Sequence, residues 1–209
     1  SSAASDVYKR QGTDGQGLIQ LYHYDSLFET VHTSHPVRCF CEDEDGNILI
    51  GTKGSGIKLL NPATKELTDY LNESKGLISN SVYALRRNKA NDIFIGTEGT
   101  GINILNAATG QLEKLEIPDK YPPFKAVYNI YFTNNDSLLW VGTSGYGLIK
   151  INISREQGRY HVKGFRQYNS SDKNISLNND VVYAITSDPE DNMLWFGTRG
   201  GLSLIHISE

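Results

Sequence analysis

The sequence predicts an all-β protein, a partial β-propeller of about four four-stranded blades. Three observations predict it. An apolar run closed by Gly-Thr recurs with its glycine at Gly51, Gly96, Gly142 and Gly197, and Gly12-Thr13 opens a truncated first copy, so that the five glycines are spaced 39, 45, 46 and 55 residues apart. A valine (Val37, Val82, Val127, Val182) opens a second apolar stretch 14 or 15 residues before four of these pairs. Two markers keeping step through four copies define a structural repeat. Third, the runs before Gly-Thr, such as Ile48-Leu49-Ile50, Ile93-Phe94-Ile95 and Leu139-Trp140-Val141, are apolar throughout. A sheet with one wet face would alternate, so both faces of these strands must be covered. Sheets stacked face to face around an axis satisfy that demand.

Each copy divides into strands A to D, separated by turn residues. In the copy starting at Val82, strand A covers 82–86, B covers 93–97, C covers 102–105 and D covers 112–115. Asp45-Gly46 reads as a two-residue hairpin turn, and Asn61-Pro62-Ala63-Thr64 as a turn with one φ preset by proline. The A strands carry Cys39, Ala84, Asn129 and Ala184 two residues after the marker valine. Small side chains there fit innermost strands, where blades converge.

In order, the copies are a partial blade over 12–32, blades over 37–70, 82–115 and 127–168, and a partial blade over 181–201. The fourth copy carries an expanded C–D connection around 154–159. The first copy supplies strands C and D, and the last supplies A and B. Ser1–Gln11 and Leu202–Glu209 resemble translated ends of sequencing-library adapters, the second read in reverse. The expectation is that both are artefacts, that 1–11 is disordered, and that the propeller runs from Gly12 to Gly201. Four copies, fewer than a closed seven-bladed ring needs, would form an open arc.

A formal net charge of -4 without a Lys/Arg cluster argues against a nucleic-acid partner. No apolar run reaches membrane-spanning length. Cys39 and Cys41, the only cysteines, lie two apart on one strand, a poor geometry for a disulfide. The Gly-Thr turns lack phosphate-loop spacing and a following helix. Glu42-Asp43-Glu44-Asp45-Gly46 lacks the alternating ligands of a calcium loop and reads as a charged hairpin. The histidines show no zinc spacing. No nucleophile elbow occurs, and Asp180 is the one carboxylate worth testing for glycoside hydrolysis. Cofactors, metals and catalytic residues are therefore expected to be none.

Loops on a rigid scaffold gather binding residues. The B–C turns and the D–A connections (71–80, 118–124, 169–180) emerge on one blade face. Lys53, Tyr146, Asn179 and Arg199 are the candidate ligand-binding residues on it. Tyr83, Tyr128 and Tyr183 each follow a marker valine, with Arg38 at the matching place. They suit either packing between blades or an aromatic ring at a channel mouth on which sugars could stack.

The unit V-Y-x-I followed by D-x-x-x-x-L-W-x-G-T-x-x-G-[LI] resembles the two-component-regulator propeller repeat. Val182-Tyr183-Ala184-Ile185 with Leu194-Trp195-Phe196-Gly197-Thr198 matches it best, and Leu139-Trp140-Val141-Gly142-Thr143 also fits. Leu49 and Phe94 depart from it by replacing tryptophan. The resemblance implies the periplasmic sensor region of a hybrid two-component histidine kinase, anchored in the inner membrane through parts outside this segment. It implies an oligosaccharide ligand, regulation of glycan-utilisation genes, a homodimeric parent, and no catalysis by the segment itself. A propeller glycosidase or lyase, or an interaction scaffold, is the alternative.

Overall fold

The computed structural model describes residues 9–13, 17–21, 29–172, 177–188 and 193–206. They form five antiparallel sheets in which each strand pairs with its neighbour in sequence. The first holds β1 (Lys9–Thr13), β2 (Gly17–Leu21) and β3 (Glu29–Val31). The second holds β4 (Val37–Glu42), β5 (Ile48–Thr52), β6 (Ile57–Leu60) and β7 (Leu67–Leu71). A 3-10 turn at Glu73–Lys75 leads out of it. The third holds β8 (Val82–Arg87), β9 (Ile93–Thr97), β10 (Ile102–Leu105) and β11 (Leu112–Lys114). The fourth holds β12 (Val127–Thr133), β13 (Leu138–Thr143), β14 (Leu148–Glu156) and β15 (Arg159–Tyr168). The fifth holds β16 (Val182–Asp188), β17 (Met193–Thr198) and β18 (Gly201–His206). The architecture is a partial β-propeller, and the A strands β4, β8, β12 and β16 lie side by side along its axis.

The core is divided into layers between sheets, as two-sided burial requires. Leu49, Ile57, Leu71 and Leu77 of the second copy meet Val82, Leu85, Ile93 and Ile95 of the third. Phe94, Ile102 and Ile104 of the third meet Val127, Ile130, Leu139 and Val141 of the fourth. Trp140 and Leu148 of the fourth meet Val182, Leu194 and Phe196 of the fifth. All five residues of β5 and of β9 are buried. At about 1.5–3 kcal/mol per large apolar side chain buried, these layers supply the main attraction between sheets.

The recurring Gly-Thr has two separate physical causes. A Cβ on Gly51 would meet Val82 Cγ1 at 2.8 Å, one on Gly96 would meet Val127 Cγ1 at 2.5 Å, and one on Gly142 would meet the Val182 carbonyl oxygen at 2.8 Å. The marker valines of the third, fourth and fifth copies thus each sit on the glycine of the copy before. Within a copy the same glycine pairs with the small A-strand residue: Cys39 with Gly51, Ala84 with Gly96, Asn129 with Gly142 and Ala184 with Gly197. The threonine closes the B–C turn. Thr52 Oγ1 donates to the Gly56 carbonyl at 2.8 Å, Thr143 Oγ1 to Gly147 at 2.7 Å and Thr198 Oγ1 to Gly201 at 3.0 Å.

Several expectations are corrected. The first copy has three strands, because β1 pairs with β2 from Lys9↔Leu21 to Thr13↔Gly17, so Lys9 to Gln11 are in strand rather than disordered. The last copy also has three, because β18 pairs with β17 from Met193↔His206 to Thr198↔Gly201. In the first copy β1, which ends in Gly12-Thr13, is the B strand and pairs with the C strand β2, whereas in the last copy β18 adds the C strand to the B strand β17. The expanded C–D connection of the fourth copy is lengthened strand rather than loop. Gln157 and Gly158 take φ of 51° and 82°, the primed turn that joins strands tightly. By contrast, Asp45-Gly46 does not form a two-residue hairpin. Only Gly46 takes positive φ there, and Glu42 pairs with Ile48 across a longer loop. Asp43 braces that loop, its carboxylate accepting from the Asp45 and Asn47 amides at 2.9 and 2.8 Å.

The long β14–β15 hairpin reaches back to the third copy. Asp92 is fully buried, and its carboxylate accepts from Tyr160 Oη at 2.7 Å and from the Ala107 amide at 2.9 Å. Arg155 completes the pair at 3.2 Å, and Asn88 Nδ2 donates to Tyr160 Oη at 2.6 Å. Burial, followed by the hydrogen bond to Asp92, pushes the Tyr160 phenol well above its usual value of about 10.

Two stability predictions follow from this packing. Gly96→Ala should cost about 1–3 kcal/mol in urea denaturation through overpacking, whereas Gly197→Ala, whose Cβ would meet only Ala184 Cβ at 3.4 Å, should change little. Tyr160→Phe should cost about 1–3 kcal/mol, because buried Asp92 and Asn88 lose a partner. The neutral phenol favours the folded state. Its contribution is therefore intact below about pH 10 and lost as pH rises toward the elevated folded value. Denaturation at about pH 8 and about pH 11 should show a smaller alkaline loss in the Phe variant.

Candidate functional site

The pairing register shifts once in every A–B pair, between Val37 and Cys39, Val82 and Ala84, Val127 and Asn129, and Val182 and Ala184. The residue skipped is Arg38, Tyr83, Tyr128 and Tyr183 in turn. A bulge leaves its extra residue unpaired and re-aims the side chain. Here four bulges on four converging strands bring their side chains into one cavity of about 360 Å³, lined by Arg38, Tyr83, Tyr128, Tyr183 and Lys53.

The tyrosines form a chain of rings. Tyr83 meets Tyr128 edge to face with centroids 4.9 Å apart, and Tyr128 stacks on Tyr183 at 5.6 Å with planes 11° apart. Tyr183 is 53% exposed, a large open ring for a protein surface. Among the described residues none of the three phenol oxygens has a hydrogen-bond partner, whereas Tyr131 Oη is paired with Ser187 Oγ at 2.6 Å. A buried tyrosine normally places its hydroxyl on a protein partner, whereas these three hydroxyls have none among the described residues and open on the cavity. Burial, then Glu98 and Tyr128, raise the Tyr83 phenol above its usual range, against a smaller opposing effect from Arg38. Tyr83 therefore remains a neutral hydroxyl donor through the physiological range.

Lys53 follows Gly51-Thr52 in the B–C turn. Its amide donates to the Pro36 carbonyl at 2.9 Å, and the turn is held to the next copy by Gly54 and Gly56 amides donating to the Asn80 carbonyl at 3.1 and 2.8 Å. Of the four candidates, Lys53 is the one placed in the cavity. Tyr146 packs its ring against the layer between the third and fourth copies, and its carbonyl accepts from Gln167 Nε2 at 2.8 Å. Asn179 Oδ1 accepts from the Val181 amide at 2.9 Å. Arg199 occupies the position equivalent to Lys53, with an exposed side chain, and its amide donates to the Val181 carbonyl at 2.9 Å. Asp180 braces a loop, its carboxylate accepting from the Ser170 amide at 2.6 Å and from Ser170 Oγ at 3.0 Å.

A second cavity, of about 380 Å³, lies under the 117–124 connection beside Tyr121, Pro118 and Phe124. Tyr121 already stacks on Phe165 at 4.9 Å and carries Lys120 over its ring at 5.0 Å. That leaves a poorer platform than the axial rings. Cys39 and Cys41 are free thiols, both pushed upward in pKa chiefly by burial. Among the described residues no group of three metal-ligating side chains gathers, and no helix is long and apolar enough to cross a membrane.

Residues 33–54 match the family described as "Two component regulator propeller". The matched segment covers the second copy's marker valine, its bulged Arg38, Gly51-Thr52 and Lys53. A curated relative, "Histidine kinase P4" of Formosa agariphila, is 26% identical over 171 residues, which is 79% of this chain and 12% of the relative. A solved extracellular domain of B. thetaiotaomicron, described as from the hybrid two component system BT3049, aligns with TM-score 0.70 and 23% identity. The alignment covers 93% of this chain and 25% of that one. The extracellular domain of BT4673 of the same organism aligns with TM-score 0.61 and 21% identity, over 94% and 31% of the two chains. PorZ of Porphyromonas gingivalis, a component of the type-IX secretion system, aligns with TM-score 0.53 and 14% identity, over 95% and 37%. These likenesses establish the propeller fold. The chain spans about an eighth of the curated relative and between a quarter and two-fifths of the solved structures.

Proposed function

We propose that this chain is the ligand-sensing propeller segment of an extracellular or periplasmic receptor of the two-component type. In this reading it binds an oligosaccharide at the tyrosine-lined axial cavity and performs no catalysis. The observation that carries the reading is the chain of three partly open rings with unpartnered hydroxyls, raised on bulges of successive copies. Pyranose rings present apolar faces for stacking and hydroxyls for hydrogen bonds, and the cavity offers both. The repeat match and the curated histidine kinase support the receptor context. The kinase, an inner-membrane anchor, a homodimeric parent and the regulated glycan-utilisation genes belong to this proposal and lie outside the segment. Occupancy would alter signalling only through different affinity for two receptor states.

Calorimetric titration of the chain with a panel of neutral and charged oligosaccharides tests the reading. At least one should bind, and Tyr128→Ala should weaken it about three- to tenfold through lost stacking. No heat from any member of the panel would refute the oligosaccharide reading.

A further inference from the structure

The four bulge positions are not alike. Three carry tyrosine and the second copy carries Arg38. The positions after Gly-Thr also vary, as Lys53, Glu98, Ser144 and Arg199. In the second copy both positions are cationic, and both side chains line the cavity that the tyrosines continue. The cavity therefore has a cationic end and an aromatic floor. Glu98 is the nearby carboxylate, close enough to Tyr83 to raise its phenol. Yet among the described residues neither Arg38 nor Lys53 makes an ion pair, although Lys58, Arg155 and Lys163 all do.

On a chain of net charge -4, two unpaired cations beside open aromatic rings select for a particular ligand chemistry. Resting on the oligosaccharide reading above, we infer that the axial cavity recognises an acidic oligosaccharide. Its carboxylate or sulfate lies at Arg38 and Lys53, and its sugar faces lie on Tyr83 and Tyr128. Arg38 presents a planar fork that matches either anion with two parallel hydrogen bonds. Lys53 adds a mobile point charge from a turn whose backbone is fixed on both sides. The neutral Tyr83 phenol donates a further hydrogen bond to the same anion. A neutral sugar would leave both cations without a new partner and would gain stacking alone.

The test uses two pairs of probes that differ in charge and little else. One pair is trigalacturonate and its methyl ester; the other is a chondroitin-sulfate tetrasaccharide and its desulfated counterpart. In calorimetry on the 209-residue chain, at least one acidic member should bind about tenfold or more tighter than its neutral twin. That preference should collapse in the R38Q/K53Q variant, fall only in part in R38K, which keeps the charge and loses the fork, and shrink as salt rises from about 0.05 to 0.5 M. Arg38 and Lys53 are both exposed, so thermal melts of the variants should match the parent and separate lost binding from lost fold. Equal affinity for acidic and neutral twins overturns the inference while leaving the oligosaccharide reading in place. Silence of both acidic probes overturns it whatever the neutral panel shows. So would inorganic sulfate binding as tightly as the acidic oligosaccharides, because the aromatic floor would then contribute nothing.

Discussion

In three successive copies the glycine lies beneath the next copy's valine, and most of this structure follows from that contact. Gly51 lies under Val82, Gly96 under Val127 and Gly142 under Val182, at distances that no Cβ could occupy. Close approach at the axis, with larger Leu, Ile, Phe and Trp layers further out, makes each sheet a wedge. The contact links the second, third and fourth copies each to its successor, so the two sequence markers must keep step there. Gly197 supplies the counterexample: a Cβ there would meet only Ala184 at ordinary distance, because among the described residues no further valine lies above it.

Close approach also accounts for the bulges. The A strand must place a valine on the preceding glycine and a small residue opposite its own glycine, two positions later. The bulge inserts one residue between these fixed points and releases it from pairing. That residue is free to vary, and so is the residue after Gly-Thr, whose backbone alone is used. Two positions per copy thus escape the packing constraint, and the four bulged residues together with Lys53 open on the axis. Arg38, Tyr83, Tyr128, Tyr183 and Lys53 occupy such positions, which makes their side chains better witnesses to function than any residue of the shared pattern.

What the sequence made legible was whatever repeats. The strands of the third copy fall where their apolar runs and turns place them, and the two-sided burial of β5 and β9 is visible in runs that fail to alternate. The site was legible in part. Lys53 was found from the geometry of an up-and-down blade, and the tyrosines from their fixed place after the valine. Their convergence was hidden because a bulge is a matter of register, and register depends on what lies across the strand. Tyr146 looked free in a turn, yet its ring had a neighbouring layer to cover. Nothing in the sequence marks Asp92. Its partners Tyr160 and Arg155 lie more than sixty residues along the chain, on a hairpin whose length was misread as loop.

The buried Asp92 cluster bears on how such a site could report its occupancy. Removing one partner from a buried charge is costly, commonly about 3–5 kcal/mol, so the third and fourth copies are fastened together far from the axis as well as near it. The glycine–valine contacts fasten each copy to the next at the other end. A ligand spanning rings from several copies therefore meets sheets that resist sliding one at a time. Energy from binding would be expressed in moving the arc as a body against whatever adjoins it, or in ordering the side chains that face the axis. Signalling by the first route needs a partner surface whose contact differs between two states.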